Sequence, residues 1–346
     1  MEKPVINFSG LAPLSSRVTR VTGKLSFGDK IGALQVRSGI HRNSYSVSPG
    51  LYAIGKPDSR SDVFVTSNYK LTFDIVRNKM EGMDAYILVL DTKGVNVWCA
   101  AGKGTFGTDE LVRRIQTTSL KDIVSHKRLI LPQLGAVGVA AHKVKEITGF
   151  SVIYGPVRVI DLKTFVNNGY KASPNMRRMD FPWFERLKLV PVEIAVSLKY
   201  LFIALLLMAG LSGFKEGIYS LNNILERLPV ILINMLTGYL AGTFLAPLLL
   251  SVLPFRSFSA KGLVTGVLST VILFGIGILG ENVLEFIAWF LIIVSVSSFL
   301  AMNFTGASTY TSLSGVKKEM KIAIPLQISF VLAGLVMYVV SGIIKI

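Results

Sequence analysis

Hydrophobic positions divide this chain into two regimes. From residue 192 onward they run almost unbroken in five stretches, 192–211, 228–253, 262–279, 283–302 and 322–344. Each approaches the roughly 20 residues that cross about 30 Å of hydrocarbon, so residues 192–346 are predicted to form an all-α transmembrane domain of five helices. The first stretch contains Glu193 and Lys199, and a lysine placed there can snorkel to the headgroups. Before residue 176 the pattern changes to short β-branched and aliphatic runs at 62–66, 85–90 and 128–131, each followed by a helix-like or glycine-rich stretch. That alternation predicts an α/β domain over residues 1–175, a Rossmann-like, doubly wound sheet of parallel strands with crossover helices. Residues 176–191 form a basic linker between the two. Within the α/β domain, Leu71, Ile75, Val76 and Met80 recur at helical spacing, which predicts a helix over 69–80. Thr108-Asp109-Glu110 reads as an N-cap with acids in the first turn of another. Open α/β sheets bind ligands beyond the carboxyl ends of their strands, where Thr66, segment 91–107 and Pro132-Gln133-Leu134-Gly135 gather.

Composition agrees with part of the chain lying in lipid: 51% of residues are hydrophobic and the mean hydropathy is +0.54. The net charge of +16 is concentrated in the first half, where residues 1–190 hold 28 Lys and Arg against 15 Asp and Glu. These charges are dispersed, and a domain tethered at a membrane meets anionic lipid, an acidic partner or a phosphate-bearing ligand, so no nucleic-acid partner is expected. Arg177, Arg178, Arg186 and Lys188 precede the first span. Arg256 and Lys261 lie between the second and third, and Lys317, Lys318 and Lys321 precede the fifth. The positive-inside rule therefore puts the N-terminal domain in the cytoplasm and the C-terminus outside, in a multi-pass protein of the cytoplasmic (inner) membrane. The first 30 residues have no apolar core with a small-residue cleavage site, and no secretory signal is expected.

The single cysteine, Cys99, is the best candidate for chemistry, the bland alternative being a buried cysteine that behaves as a small hydrophobe. A thiol acts as ligand or nucleophile as thiolate, a form favoured by a cation one helical turn away, and Lys103 stands at that spacing. One cysteine excludes an intrachain disulfide, an iron-sulfur cluster built from this chain alone and a multi-thiolate zinc site, so any electron supply is a separate partner. Gly102-Lys103-Gly104-Thr105-Phe106-Gly107 matches G-x-G-x-x-G, but it begins a dozen residues after the run at 85–90, and Asp122 comes early for a ribose-binding acid. A phosphate loop fails because Lys103 is followed by Gly104. His41, His126 and His142 form no paired metal-ligand spacing and read as solvated or structural. The loop 303–310 contains a glycosylation-like triplet but is expected on the cytoplasmic side, as a membrane-proximal structural loop.

The eight residues Asn96-Val97-Trp98-Cys99-Ala100-Ala101-Gly102-Lys103 resemble, without a mismatch, the cap-helix signature of the mercury-methylation corrinoid protein. That family joins a cytoplasmic corrinoid-binding domain to five membrane spans and is related to the corrinoid iron-sulfur protein of acetyl-CoA synthesis. Val65-Thr66-Ser67-Asn68-Tyr69-Lys70, Leu131-Pro132-Gln133-Leu134-Gly135 and Tyr154-Gly155-Pro156-Val157 look like the wider family. The resemblance implies a corrinoid (cobalamin) bound base-off, with Cys99 as lower axial ligand of cobalt and a methyl group transferred to Hg(II) to form methylmercury. It further implies that Ala100, Ala101 and Gly102 let the macrocycle lie close to the helix. Val97 and Trp98 exclude water, Lys103 tunes the thiolate or orients the helix or a cofactor propionamide, and Thr66, Asn96, Gln133, Gly135 and Ala136 contact the cofactor. The implied partners are a ferredoxin-like iron-sulfur electron donor and a folate-linked methyl donor acting through a methyltransferase. With Cys99 committed to cobalt, Hg(II), which prefers two soft sulfur ligands, is expected as a thiolate complex. Two other readings stay open: a corrinoid methyltransferase with another acceptor, and a membrane protein with a nucleotide-binding regulatory domain.

Overall fold

The computed structural model describes residues 18–307 and 313–344. The chain divides into two compact units, with the principal boundary between Asp180 and Phe181.

The first unit is a six-stranded mixed sheet with helices on both faces. In chain order it runs β1 (Val18–Val21), α1 (Phe27–Arg37), β2 (Gly50–Ile54), β3 (Val63–Ser67), α2 (Lys70–Lys79) and β4 (Ala85–Leu90). There follow α3 (Val97–Gly102), α4 (Thr108–Thr117), α5 (Leu120–Ile123), β5 (Arg128–Leu131), α6 (Ala141–Thr148), β6 (Ser151–Tyr154) and α7 (Leu162–Asn167). The sheet order is β1-β2-β4-β3-β5-β6. Strands β3, β4, β5 and β6 are parallel, whereas β2 pairs antiparallel with β4 and carries β1 parallel to itself. The three anticipated strands are present and parallel, but an all-parallel sheet is not: two strands of opposite direction extend one edge. Within the parallel set the chain first steps from β3 to β4, then returns past β3 to β5. The strand order therefore reverses between β3 and β5.

The central strands are buried throughout, with Val63, Ile87, Leu88, Val89, Leu90, Leu129 and Leu131 at most 1% exposed. That is the burial expected of strands covered on both faces. One core holds Val65, Leu88, Leu90 and Leu131 with Val97, Ala100, Leu111 and Val144 from α3, α4 and α6 and Phe106 from the turn between α3 and α4. The opposite one holds Phe64, Ile87 and Ile130 with Phe73 and Met80 of α2 and Phe165 of α7.

Helix α2 departs from the apolar stripe anticipated for it. Ile75 is 39% exposed, while Lys70, Asp74 and Arg77 are buried beside Phe73. The reason is an ion-pair quartet. Lys70 Nζ reaches Asp29 Oδ1 at 2.6 Å and Asp74 Oδ2 at 2.5 Å, and Arg77 reaches Asp29 Oδ2 at 2.7 Å and Asp74 Oδ1 at 2.9 Å. Asp29 also accepts the Ser26 backbone N–H and hydroxyl at the start of α1, as in a capping box. Burial alone would raise the Asp29 carboxyl, but the hydrogen bonds from Lys70, Ser26 and Arg77 outweigh it and hold the group well below the usual carboxylate range. A depressed folded value contributes stability that is present above the unfolded carboxylate range, near pH 4, and is lost as pH falls below it. Thermal unfolding of the full chain should therefore steepen below about pH 4. Asp29→Asn should be less stable at pH 7 and converge on the parent at acid pH. Parallel curves for the two proteins would remove Asp29 from the acid response.

Among its described residues the second unit holds five helices long and apolar enough to cross a membrane. The short α8 (Trp183–Leu187) leads into α9 (Val190–Leu211), which a two-stranded hairpin, β7 (Phe214–Lys215) and β8 (Ile218–Tyr219), joins to α10 (Leu221–Leu240). A π-helical turn, Ala241–Leu245, continues α10 into α11 (Ala246–Leu248), followed by α12 (Phe258–Gly275), α13 (Val283–Asn303) and α14 (Leu313–Ile343). The 176–191 segment holds the end of a 3-10 turn, all of α8 and the start of α9. Of the loop anticipated at 303–310, Phe304–Ala307 form a 3-10 turn, and 308–310 lie outside the described residues.

Helix α13 is gripped by two small-residue pairs four apart. A Cβ on Gly262 would lie 2.5 Å from the Ala301 Cβ and the Ser297 carbonyl oxygen, one on Gly266 2.8 Å from the Val294 Cα, and one on Gly242 2.6 Å from the Ser297 carbonyl oxygen. With Gly238 these make two G-x-x-x-G faces, the kind that lets helices approach closely in lipid, where no hydrophobic effect drives them together. Ser297 Oγ donates to Gly262 O at 2.6 Å and Gln327 Nε2 to Ser298 Oγ at 2.8 Å. Gly262→Val should overpack this contact, costing about 1–3 kcal/mol and lowering the unfolding midpoint in detergent. An unchanged midpoint would mean that α12 and α13 separate without cost.

Candidate functional site

The chain order reverses between the carboxyl ends of β3 and β5, and the segments singled out in the sequence meet there. Strand β3 ends at Thr66 and Ser67. Both side chains are buried, at 2% and 0% exposure, and neither Oγ has a hydrogen-bond partner among the described residues. Strand β5 runs into Pro132 and a 3-10 turn at Gln133–Gly135, and β4 leads through residues 91–96 to α3.

Helix α3 forms because Asn96 caps it. Its Oδ1 accepts the Cys99 backbone N–H at 2.9 Å, while its own carbonyl accepts the Ala100 N–H. The cap fixes the rotation of a helix too short to be stable by itself. Val97, Ala100 and Ala101 are turned into the core, while Trp98 and Cys99 are half-buried and Gly102 and Lys103 exposed. Cys99 is thus not the fully buried small hydrophobe of the bland alternative. Around Gly102 and Gly104 an added Cβ would meet nothing within 4 Å, so the ground past the cysteine is open.

The loop 133–138 packs against the same helix. A Cβ on Gly135 would lie 2.5 Å from the Phe106 ring, and one on Gly138 2.1 Å from the Phe106 carbonyl oxygen and 3.1 Å from the Ala101 Cα. Only glycine allows that approach, and Phe106, 0% exposed, is the buried post beneath both. Between them Ala136 is half-buried and Val137 is 80% exposed, an apolar side chain on the rim of the site. Gln133 Oε1 accepts from Arg177 Nη1. Thr108 Oγ1 accepts the Ala140 N–H at 2.9 Å, and Tyr154 donates to Val139 O at 2.6 Å. Thr108 is therefore not the N-cap anticipated for α4. Gly107 holds that position, and the threonine hydroxyl ties the loop after β5 instead.

Asn68 is the residue sequence reasoning left without a role. It is 5% exposed at the end of β3, and its Oδ1 accepts Thr92 N–H at 3.0 Å, Thr92 Oγ1–H at 2.8 Å and Gly94 N–H at 3.0 Å. Its amide nitrogen lies 3.4 Å from Asp91 Oδ1. One side chain thus shapes the loop that delivers α3. The signal available was a polar residue directly after a strand end, inside a stretch already singled out. From the other side Glu110 Oε1 accepts the Asp91 backbone N–H at 2.8 Å. Burial would raise the Glu110 carboxyl, but Asp91 N–H, Arg114 and Arg113 hold it below the usual carboxylate range.

The G-x-G-x-x-G run follows helix α3, not a strand, which removes the dinucleotide fingerprint. Among the described residues no group of three His, Cys, Asp or Glu side chains is placed to hold a metal ion. His126 is structural, with Nε2 2.9 Å from Ser61 O and Nδ1 accepting the Arg128 N–H; His41 and His142 are exposed.

Residues 31–166 match the family model of the CO dehydrogenase/acetyl-CoA synthase delta subunit. The match is confined to the first unit. Over 127 residues, 36% of this chain and 27% of the relative, the sequence is 34% identical to the gamma subunit of the acetyl-CoA decarbonylase/synthase complex of Methanopyrus kandleri. Over 112 residues, 32% of this chain and 25% of the relative, it is 34% identical to the corrinoid/iron-sulfur protein large subunit of Moorella thermoacetica. The chain spans about a quarter of the length of the curated relatives it matches. The matched region covers Thr66, Asn68, α3 and the 133–138 loop.

Proposed function

We propose that this chain is a membrane-anchored, corrinoid-dependent methyl carrier and methyltransferase whose methyl acceptor is Hg(II). The observation that carries the reading is the half-buried Cys99 on a capped helix, beside open ground at Gly102 and Gly104, at the reversal point where Thr66 and Ser67 keep unpartnered hydroxyls. These residues fit a corrinoid: a soft donor for cobalt, a surface without side chains for a flat macrocycle, and hydroxyls for the amide-bearing periphery. A bound corrinoid supplies a metal centre that takes up and gives up a methyl group. Cys99 would hold the cobalt at the lower axial position with the cofactor's own base displaced. Its thiolate is a strong electron donor toward a metal and so favours departure of a methyl group with its electron pair toward an electrophile such as Hg(II). Asn96 orients the cysteine backbone, Val97 and Trp98 keep water from the sulfur, and Ala100 and Ala101 seat the helix on the core. Lys103 lies past the helix end, free to meet cofactor amides. Gln133, Gly135 and Ala136, on the loop after β5, are the residues for the cofactor's tail.

Mercury as acceptor rests on the eight-residue stretch from Asn96 to Lys103. The partners of this reading are a ferredoxin-like electron donor and a folate-linked methyl donor acting through a methyltransferase. Hg(II) arrives as a thiolate complex. The five helices hold the protein in the cytoplasmic membrane, with the first unit in the cytoplasm and the C-terminus outside. A second reading, a carrier for another acceptor, is favoured by the relatives named for acetyl-CoA synthesis. Full chain loaded with methylated cobalamin and given an Hg(II)–thiolate complex should yield methylmercury in amounts matching the methyl groups lost. Methyl groups that stay with the protein before Hg(II), yet leave to another electrophile, would replace mercury by that acceptor.

A further inference from the structure

The membrane unit contains a cluster of polar side chains that anchoring does not require. Arg227, in the second turn of α10, is 7% exposed, and its Nε and Nη1 have no hydrogen-bond partner. Its guanidinium carbon lies 5.9 Å from the ring centroid of Tyr338 on α14. The Tyr338 ring is 5.4 Å from that of Trp289 on α13. The Tyr338 O–H and the Trp289 Nε1–H, on residues 1% and 0% exposed, likewise meet no acceptor among the described residues. Asn234, two turns further along α10, gives its amide N–H to Leu279 O at 3.3 Å. Of the nearby carboxylates, Glu226 pairs with Lys215, and Glu285, itself buried and close enough to act on Tyr338, accepts the Glu281 backbone N–H at 3.0 Å. Among the described residues Arg227 forms no salt bridge within 4.0 Å.

A buried cation and two further side chains with unused donors, gathered from three different helices, are expensive in hydrocarbon and mark a functional position by default. The face of Tyr338 offsets part of the charge, but a cation–π contact leaves the in-plane N–H groups unbonded. Arg227 Nε and Nη1, the Trp289 indole N–H and the Tyr338 O–H are donors that meet no acceptor among the described residues. We propose that Arg227, Trp289 and Tyr338 form an anion site within the helical bundle and that its ligand is a small carboxylate. The guanidinium supplies the charge, and the indole N–H and the phenol O–H point the same demand at the carboxylate oxygens. A lipid phosphate at the headgroup level is the competing source, disfavoured because Arg227 is enclosed by protein and not turned to the lipid.

The test uses the purified full chain in detergent, titrated with formate and with acetate at constant ionic strength, gluconate being the bulky balancing anion. The unfolding midpoint of the parent should rise saturably by several degrees, since a ligand that binds only the folded state stabilises it by mass action. Arg227→Gln should abolish the rise, and Tyr338→Phe and Trp289→Phe should each reduce it by more than half. A flat parent titration, an equal rise in Arg227→Gln, or a rise given by anionic phospholipid and not by formate or acetate would each overturn the site. Should Arg227→Gln fail to fold, Tyr338→Phe, which removes one donor at near-constant volume, decides in its place.

Discussion

Cys99→Ala should leave the protein folded and without methyl-transfer activity. The side chain is half-buried and the change removes one sulfur atom, so the loss of stability should stay within about 1 kcal/mol. Activity depends on the sulfur itself. Losing a residue that only supports a metal ligand costs about 10–100-fold, and losing the ligand should exceed the upper end of that range. Absorption spectra of the full chain reconstituted with cobalamin separate the two effects. The parent should show a cobalt–thiolate band that Cys99→Ala lacks and that Cys99→Ser, with a hard oxygen of similar shape, does not restore. Identical spectra for all three would mean that the thiol is not the axial ligand. Failure of the parent itself to retain cobalamin would return the nucleotide-binding alternative to consideration.

Asn68→Ala should be the most damaging substitution that leaves every proposed cofactor contact in place. It strips the acceptor from two backbone donors, Thr92 N–H and Gly94 N–H, inside a closed region, while the Thr92 hydroxyl keeps the Val95 carbonyl at 2.6 Å. Each donor left without a partner costs about 1–3 kcal/mol, and relaxation of the loop recovers part of that, so a net loss of about 3 kcal/mol is expected. Because this loop delivers α3, cobalamin affinity should fall at least about tenfold, as for other positioning groups around a metal. Asn68→Asp keeps the acceptor but sets a second carboxylate toward Asp91, and should fall between the parent and the alanine variant. Parent-like affinity in Asn68→Ala would show that α3 holds its place without the loop.

What the sequence determined by itself was whatever depends on residues close together in the chain. The five apolar helices were legible because a long unbroken apolar run is a local signal, and among the described residues each proves long and apolar enough to cross a membrane. The helix carrying Cys99 was legible because cap, cysteine and small residues lie within eight positions. Strands β3, β4 and β5 showed themselves as buried β-branched and aliphatic runs. Strands β1 and β2 did not, because Val18–Val21 and Gly50–Ile54 become strands only by pairing on an edge whose partners lie far away in sequence. The antiparallel attachment of β2 to β4, with β1 parallel beside β2, is a property of that pairing and has no local signal.

Helix α2 shows the same limit from the other side. Its apolar spacing was real, yet the face that is buried includes Lys70, Asp74 and Arg77, because Asp29 comes from α1 to complete the quartet. Only the tertiary structure decided that charge would be inside. It likewise decided that Asn68 would shape the cysteine loop, that Gly135 and Gly138 would close on Phe106, and that Arg227, Trp289 and Tyr338 would share one interior. Each joins residues remote in the chain, where neither periodicity nor spacing carries information, and where close packing and the cost of an unpartnered polar group make the choice.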